Sequence, residues 1–183
     1  MTDISERYRR NADHFAGLVR GVPDDRWSGA SPCEDWTARE LVGHVVETQG
    51  LFLGLVGAAL DDVPSVDDDP AAAWDAARGV VQARLDDPAL AGAEFDGVLG
   101  RMSFEQAVDT FLSTDLVVHS WDLARATEQD DGIDPAEAER VLEGARQLPP
   151  ERFRSPYVAG PEVQVPASAD AVTRLVAFYG RTP

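Results

Sequence analysis

Apolar residues recur at intervals of three and four along most of the chain, which is the spacing of the buried face of an amphipathic helix. Short runs rich in Gly, Pro, Asp and Ser separate these segments and are typical of turns and loops. The pattern predicts four longer and two shorter helices, at about 4–19, 37–55, 71–85, 104–127, 134–148 and 168–180. Only residues 95–98, expected to form a short hairpin, and 160–166 indicate extended structure. We therefore expect an all-α helical bundle.

Local signals mark where several of these helices begin. A capping box, in which a Ser or Thr is followed three residues later by Glu or Gln, occurs at Thr37–Glu40 and at Ser103–Gln106. The same preference for small polar residues at the start of a helix predicts N-caps at Thr37, Asp69, Ser103, Asp134 and Ser168.

The predicted helix at 104–127 carries the most informative pattern. Asp115, His119 and Asp122 fall on the same face as its apolar residues, since positions three and four apart share a helix face. A carboxylate on a buried face is costly unless a cation compensates it. A metal ion bound by Asp115 and His119 would do so, with a third ligand from another helix. His44, on the apolar face of the second helix, is placed to supply that ligand.

Structural interpretations of the same residues stay open at this point. Asp115 could pair with an arginine, and His119 could bond to a backbone carbonyl. Asp122 could hold a metal-bound imidazole in position as a hydrogen-bond acceptor, or pair with Arg125. Two histidines and one carboxylate would leave coordination positions open, which is typical of a catalytic or substrate-binding metal site. Zinc is the first expectation, with nickel or iron as alternatives.

The other candidate residues have simpler interpretations. His14 lies off the apolar face of its helix and is expected at the surface. Cys33 is either a redox thiol or a small buried apolar residue, and the second interpretation is the default. Four glycines of the second helix indicate close packing, either within the bundle or across a dimer. They are Gly43, Gly50, Gly54 and Gly57.

The net charge of the chain limits the kinds of macromolecule that it is expected to bind. The 183 residues include 16 Lys and Arg, all of them Arg, against 33 Asp and Glu, so the net charge is −17. This disfavours nucleic acids and anionic membranes as partners, because both are bound through basic patches. The single cysteine excludes an intrachain disulfide. Motifs of the HExxH, GxSxG, GxGxxG and phosphate-loop types are absent from the sequence.

The length suits one domain spanning residues 1–183. The first ten residues contain no apolar signal core. The most apolar run, Leu51–Leu60, is shorter than the ~20 residues that a membrane-spanning helix needs. We therefore expect a cytoplasmic protein.

Two motifs resemble a known family. The sequences PCEDWTARELVGHVV (residues 32–46) and DLVVHSWDLARAT (residues 115–127) are similar to the actinobacterial branch of the DinB-like superfamily. Within that branch they resemble the metal-binding domain of mycothiol-dependent maleylpyruvate isomerase. The C-terminal GPEVQVPASADAVTRLVAFYGRTP (residues 160–183) resembles the tail of its smaller, single-domain members.

The resemblance implies a single DinB-like four-helix bundle with two additional shorter C-terminal helices, which holds a divalent metal, usually zinc or nickel. It implies that the ligands are His44, Asp115 and His119. The isomerase has a glutamate and many DinB proteins have a histidine where this chain has Asp115, so the shorter side chain departs from both patterns. Because the isomerase's separate C-terminal domain has no counterpart here, its own reaction is not carried over.

The resemblance also implies chemistry that depends on a low-molecular-weight thiol, mycothiol first. A metal-bound thiol loses its proton, and the thiolate is the nucleophile. We expect a transferase or isomerase acting on a small electrophilic substrate, in a homodimer as in many members of the family. The alternative is a non-enzymatic small-ligand-binding or stress-response bundle with a vestigial metal site, in which Asp115 pairs with an arginine.

Overall fold

A computed structural model of the chain describes residues 2–33, 36–97, 100–149, 153–154 and 158–183. These residues are predominantly helical, with one antiparallel hairpin, and the all-α prediction is confirmed. The helices are α1 (Asp3–Gly21), α2 (Ala38–Gly54), α3 (Pro70–Asp86), α4 (Pro88–Ala91), α5 (Phe104–Ala107), α6 (Ser113–Thr127), α7 (Pro135–Arg146) and α8 (Ala171–Phe178). A 3₁₀ turn covers Asp24–Arg26, a π-helical segment covers Val108–Leu112, and the strands are β1 (Glu94–Gly97) and β2 (Gly100–Ser103).

Four of the helices form a bundle. Helix α1 packs against α3 and α6, and α2 packs against the same two helices from the other side. Their apolar faces meet in a core whose largest fully buried side chains include Tyr8, Phe15, Leu41, Trp74 and Leu116. Every described helix is too short or too polar to cross a membrane.

Helix α6 lies between two hydrophobic clusters. Leu116 and Leu123 face the core of the four-helix bundle. Val117, Val118 and Trp121 face a second cluster, which α7 and α8 complete. A helix that is apolar on both sides must be covered on both sides, so nearly every α6 residue from Leu116 to Ala124 is buried. Polar groups on this helix are therefore placed inside the protein, where they need partners.

The predicted helix 104–127 is interrupted. Its first turn, α5, leads into the π-helical segment before α6 begins. Arg7 is 3% exposed, and its Nη1 donates to the Asp109 carbonyl at 2.6 Å and to Asp109 Oδ1 at 2.8 Å. Its Nε also donates to Glu137 of α7 at 2.7 Å. Arg7 thus joins α1, the π-helical segment and α7, and the local periodicity of one helix cannot indicate a partner this far away.

Most predicted helix starts are confirmed, and one is wrong. Thr37, Asp69, Ser103 and Asp134 each cap a helix through the side-chain oxygen. The last helix is capped by Asp170 instead of Ser168, with Asp170 Oδ1 accepting from the Thr173 amide at 2.8 Å. Both residues are typical caps, and the two extra residues are taken up by a turn.

The hairpin and the glycines of α2 also differ in detail from expectation. Gly97 pairs with Gly100, so the Asp96–Gly97 pair lies in β1 and does not form the turn; Val98 lies outside the described residues. A Cβ added at Gly50 would lie 3.2 Å from Leu60, whereas at Gly43 or Gly54 it would meet no atom within 4 Å. Packing in the bundle therefore accounts for Gly50, and the homodimer stays a prediction.

A buried tyrosine is predicted to make the folded protein less stable at alkaline pH. Tyr8 donates to Gln49 Oε1 at 2.8 Å, and burial raises the pKa of Tyr8 above its ordinary value, opposed only in part by the Arg78 charge. A tyrosine in the unfolded chain ionises above pH about 10, whereas Tyr8 stays protonated. The contribution of Tyr8 to the free energy of unfolding should therefore fall by about 1.4 kcal/mol per pH unit above that pH.

Denaturant unfolding of Tyr8→Phe between pH 7 and pH 11 measures this contribution. The variant should lose about 1 kcal/mol near pH 7, because Gln49 Oε1 loses its donor, but its alkaline slope should be shallower than that of the wild type. An unchanged slope would contradict the prediction.

Candidate metal centre

The three predicted ligands are brought together between α2 and α6. One donor atom each from His44, Asp115 and His119 lies within 4.8 Å of the others. Asp115 and His119 are one turn apart on α6, and the antiparallel packing of α2 places His44 across from them. The His44 and His119 rings are 5.2 Å apart at an angle of 79°. The spacing of four on one helix and the apolar face of the other were sufficient signals for this cluster.

The two ring nitrogens of His119 each contact a different carboxylate. Its Nε2 lies 3.3 Å from Asp115 Oδ1, and its Nδ1 lies 3.0 Å from Asp122 Oδ2. Burial opposes the charged ring, but the Asp115 charge and the hydrogen bonds that the ring donates to both carboxylates raise the pKa of His119 well above its ordinary value. A carboxylate at each nitrogen favours the protonated form of the metal-free ring. A metal ion at Nε2 would take the place of one proton.

Asp115 keeps an unpaired oxygen. Its side chain is 25% exposed, yet its Oδ2 is buried and has no hydrogen-bond partner among the described residues. Burial favours the neutral acid, but the charge and hydrogen bond of His119 outweigh it and lower the pKa of Asp115. Its ion-pair partner is His119, and none of the described arginines pairs with it. The arginine pairing expected for a vestigial site is therefore not found among the described residues.

Asp122 lies behind His119 and is fully buried. Arg181 donates to it through Nε at 3.1 Å and through Nη2 at 2.8 Å. Although burial opposes ionisation, the hydrogen bonds from His119 and Arg181 lower the pKa of Asp122 to about 2. The alternative partner considered from the sequence, Arg125, instead lies over the Trp121 ring at 5.1 Å. A carboxylate that accepts from the far nitrogen of an imidazole is the usual support of a metal-binding histidine.

Cys33 also belongs to this cluster. Its Sγ lies 3.2 Å from Asp122 Oδ2 and 3.9 Å from His119 Nδ1, and Arg181 Nη2 donates to it at 3.2 Å. Cys33 is partly buried against the bundle core, as the default interpretation predicts, but its sulfur lies among polar groups. Cys33 and Arg181 are 148 positions apart, and no local pattern indicated their contact.

Trp36, directly before the Thr37 cap of α2, also lies at the site, although the sequence did not single it out. Its ring lies 4.5 Å from the His44 ring at an angle of 36°, and 6.3 Å from that of His119. Burial lowers the pKa of His44, opposed in part by the Asp115 charge. A neutral His44 has a free nitrogen lone pair, as a metal ligand requires.

Comparison with known proteins matches residues 8–129 to the family described as mycothiol maleylpyruvate isomerase N-terminal domain. This span includes the four-helix bundle apart from the first turns of α1, and it contains all three clustered residues. It ends before Arg181, so the C-terminal segment adds a contact to Asp122 from outside the matched region.

Two relatives come from Mycobacterium tuberculosis: "Uncharacterized protein MT0763" of strain CDC 1551 / Oshkosh and "Uncharacterized protein Rv0738" of strain ATCC 25618 / H37Rv. Each is 33% identical over 176 residues, covering 96% of this chain and 96% of the relative. No solved structure matches the chain. By both the family match and these full-length relatives, the chain belongs to the mycothiol maleylpyruvate isomerase N-terminal domain family, a DinB-like family.

Proposed function

We propose that this protein holds one divalent metal ion through His44, Asp115 and His119, and that it uses a low-molecular-weight thiol in a transfer or isomerisation reaction on a small electrophile. Mycothiol is the thiol that the family name supplies. Zinc is the metal we propose first, because two imidazoles and one carboxylate are a common zinc donor set; nickel and iron are the alternatives.

The observation that carries the proposal is the unpaired Asp115 Oδ2. A buried carboxylate oxygen without a donor costs free energy, and this one lies in the cluster that contains two imidazoles. A cation coordinated by all three side chains would satisfy it. Three protein ligands would also leave a coordination position for a thiol sulfur.

A second group of donors, Cys33, His119 and Asp122, is equally compact. It already contains a cation, since the Arg181 guanidinium donates to both Cys33 Sγ and Asp122. Placing a divalent ion there would bring two like charges together or displace Arg181. The charges therefore favour the His44–Asp115–His119 group as the metal site.

When bound, the metal would lower the pKa of a coordinated thiol and so supply a thiolate near neutral pH. Three residues around the ligands would hold the site in the form that binds the metal. With the metal bound, Asp122 would keep the remaining proton of His119 on Nδ1, so that the Nε2 lone pair would be the one that binds the metal beside Asp115 and His44. Trp36 packs on the His44 ring and covers it from one side. Arg181 keeps Asp122 ionised and in place.

Thiol consumption tests the proposal. Tag-free protein loaded with Zn²⁺ is incubated with mycothiol and a panel of small electrophiles: an aryl chloride, an epoxide and an α,β-unsaturated ketone. We expect at least one pair to react faster than the uncatalysed rate, and the gain to disappear after chelation and in Asp115→Asn. Loss of one such electrostatic contribution to catalysis typically lowers the rate by ~10²-fold or more. Asp68→Asn, which changes an exposed carboxylate outside the cluster, is the matched control.

A rate that survives metal removal would contradict the metal-dependent mechanism. Metal and thiol binding without turnover of any electrophile would instead support the non-enzymatic binding module.

A further inference from the structure

A second polar cavity lies on the other side of α6 from the His44–Asp115–His119 cluster. It occupies about 150 Å³ between α1, α6 and the segment that leads into α7. Val117 and Ser120 line it from α6, and His14 lines it from α1. It shares no residue with the proposed metal site, and it is independent of the function proposed above.

Two polar atoms in this cavity have no hydrogen-bond partner among the residues that the structure describes. Ser120 is 1% exposed, and its Oγ makes no hydrogen bond to any described residue. His14, expected at the surface from the sequence, is half-buried, and its Nε2 is buried and likewise without a partner in the part of the chain that the structure describes. Buried polar groups are nearly always hydrogen-bonded. A hydroxyl and an imidazole nitrogen lining one cavity therefore point to a polar occupant.

The charges around the cavity are of both signs. Arg10 lines it, and among the described arginines it is the one with no ion pair, hydrogen bond or aromatic ring partner. The Arg10 side chain is exposed, so its guanidinium is available to a carboxylate. Asp134 and Glu137 line the same cavity. Asp134 Oδ1 accepts from the Ala136 amide. Glu137 Oε1 accepts from Arg7 and Asn11, so each charge is compensated in part. The remaining charge attracts a cationic group.

We propose that this cavity binds a small α-amino acid. Its carboxylate would pair with Arg10, its ammonium group would face Asp134 and Glu137, and Ser120 Oγ and His14 Nε2 would supply hydrogen bonds. A cavity of ~150 Å³ accommodates a ligand as large as benzene, which has the same number of non-hydrogen atoms as alanine. The cavity thus selects the smallest amino acids, glycine and alanine first.

Nuclear magnetic resonance titration of the ¹⁵N-labelled full chain tests this binding. Glycine and L-alanine should produce saturable shifts of the Ser120 and Gly132 amides. L-lactate, which lacks the ammonium group, and ethanolamine, which lacks the carboxylate, should each bind at least about tenfold more weakly, since each loses one charge-assisted contact. Arg10→Gln and Ser120→Ala should weaken glycine binding by a similar factor, while Arg20→Gln, a change to an arginine outside the cavity, leaves it unchanged.

A loss of ligand binding in these variants can be distinguished from a loss of folding. Ser120→Ala removes a hydroxyl that has no protein partner, so its unfolding midpoint should not fall, and its metal content should match that of the wild type. The proposal is overturned if no amino acid gives a saturable shift up to about 10 mM, as when the cavity holds only water. It is also overturned if glycine binding survives both Arg10→Gln and Ser120→Ala, or if lactate binds as tightly as alanine.

Discussion

Tag-free protein is expected to carry about one divalent metal ion per chain, and His44→Ala and His119→Ala are each expected to reduce its affinity for that ion by more than about 100-fold. Each variant removes one of three side chains whose donor atoms converge within 4.8 Å. A site with two remaining ligands also leaves the Asp115 charge poorly compensated. Elemental analysis and competition with a chromogenic chelator measure the stoichiometry and the affinity.

The third histidine of the chain provides the matched control. His14 lies outside both donor groups, so His14→Ala should bind metal like the wild type. Circular dichroism of His44→Ala should show the wild-type helical content, because His44 is only half-buried. Wild-type protein that contains no metal and binds neither added Zn²⁺ nor Ni²⁺ would end the metal proposal.

Asp122→Asn is expected to produce the largest loss of stability, about 3 kcal/mol in the free energy of unfolding. The substitution keeps the size of the side chain but removes the charge that compensates Arg181, whose side chain is 14% exposed. Breaking a buried ion pair leaves the other charge without a partner. Metal affinity should also fall, by roughly 10- to 100-fold, because the hydrogen-bond acceptor that orients His119 is weakened.

A double variant separates these two effects. In Asp122→Asn/Arg181→Met neither charge remains, so much of the lost stability should return. Metal affinity should stay low, because the His119 support is still weakened. Glu94→Gln, at the exposed Arg101–Glu94 pair, should change stability by less than about 1 kcal/mol. If the double variant were no more stable than Asp122→Asn, the ion pair would not be the source of the loss.

The features that depend on residues close in sequence were predicted well. The capping residues Thr37 and Ser103 act within their own first turns, and the i, i+4 spacing of Asp115 and His119 follows from helix geometry alone. The wrong choice of Ser168 over Asp170 is a shift of two residues between equally suitable caps. Such boundaries depend on small differences in local free energy.

The features that the sequence did not reveal all join distant elements. Arg181 reaches Asp122 across 59 positions and Cys33 across 148, and Arg7 reaches Asp109 across 102. The helical period of a sequence indicates which residues share a face of the helix. It does not indicate which other element packs on that face. For the same reason His14, which lies off the apolar stripe of α1, was expected at the surface, whereas the segment before α7 half-covers it.

By itself, the sequence determined that the chain is helical, where most of its helices begin, which family it belongs to, and that His44, Asp115 and His119 are the residues to consider together. These conclusions rest on local hydrogen bonding, on side-chain period and on motif similarity. Only the tertiary structure decided that Asp122 pairs with Arg181, that Trp36 packs on His44, that Asp115 Oδ2 has no partner in the described part of the chain, and that a polar cavity lies behind α6. Burial and charge compensation belong to the packed state, in which groups far apart in the chain come to share one low-dielectric environment.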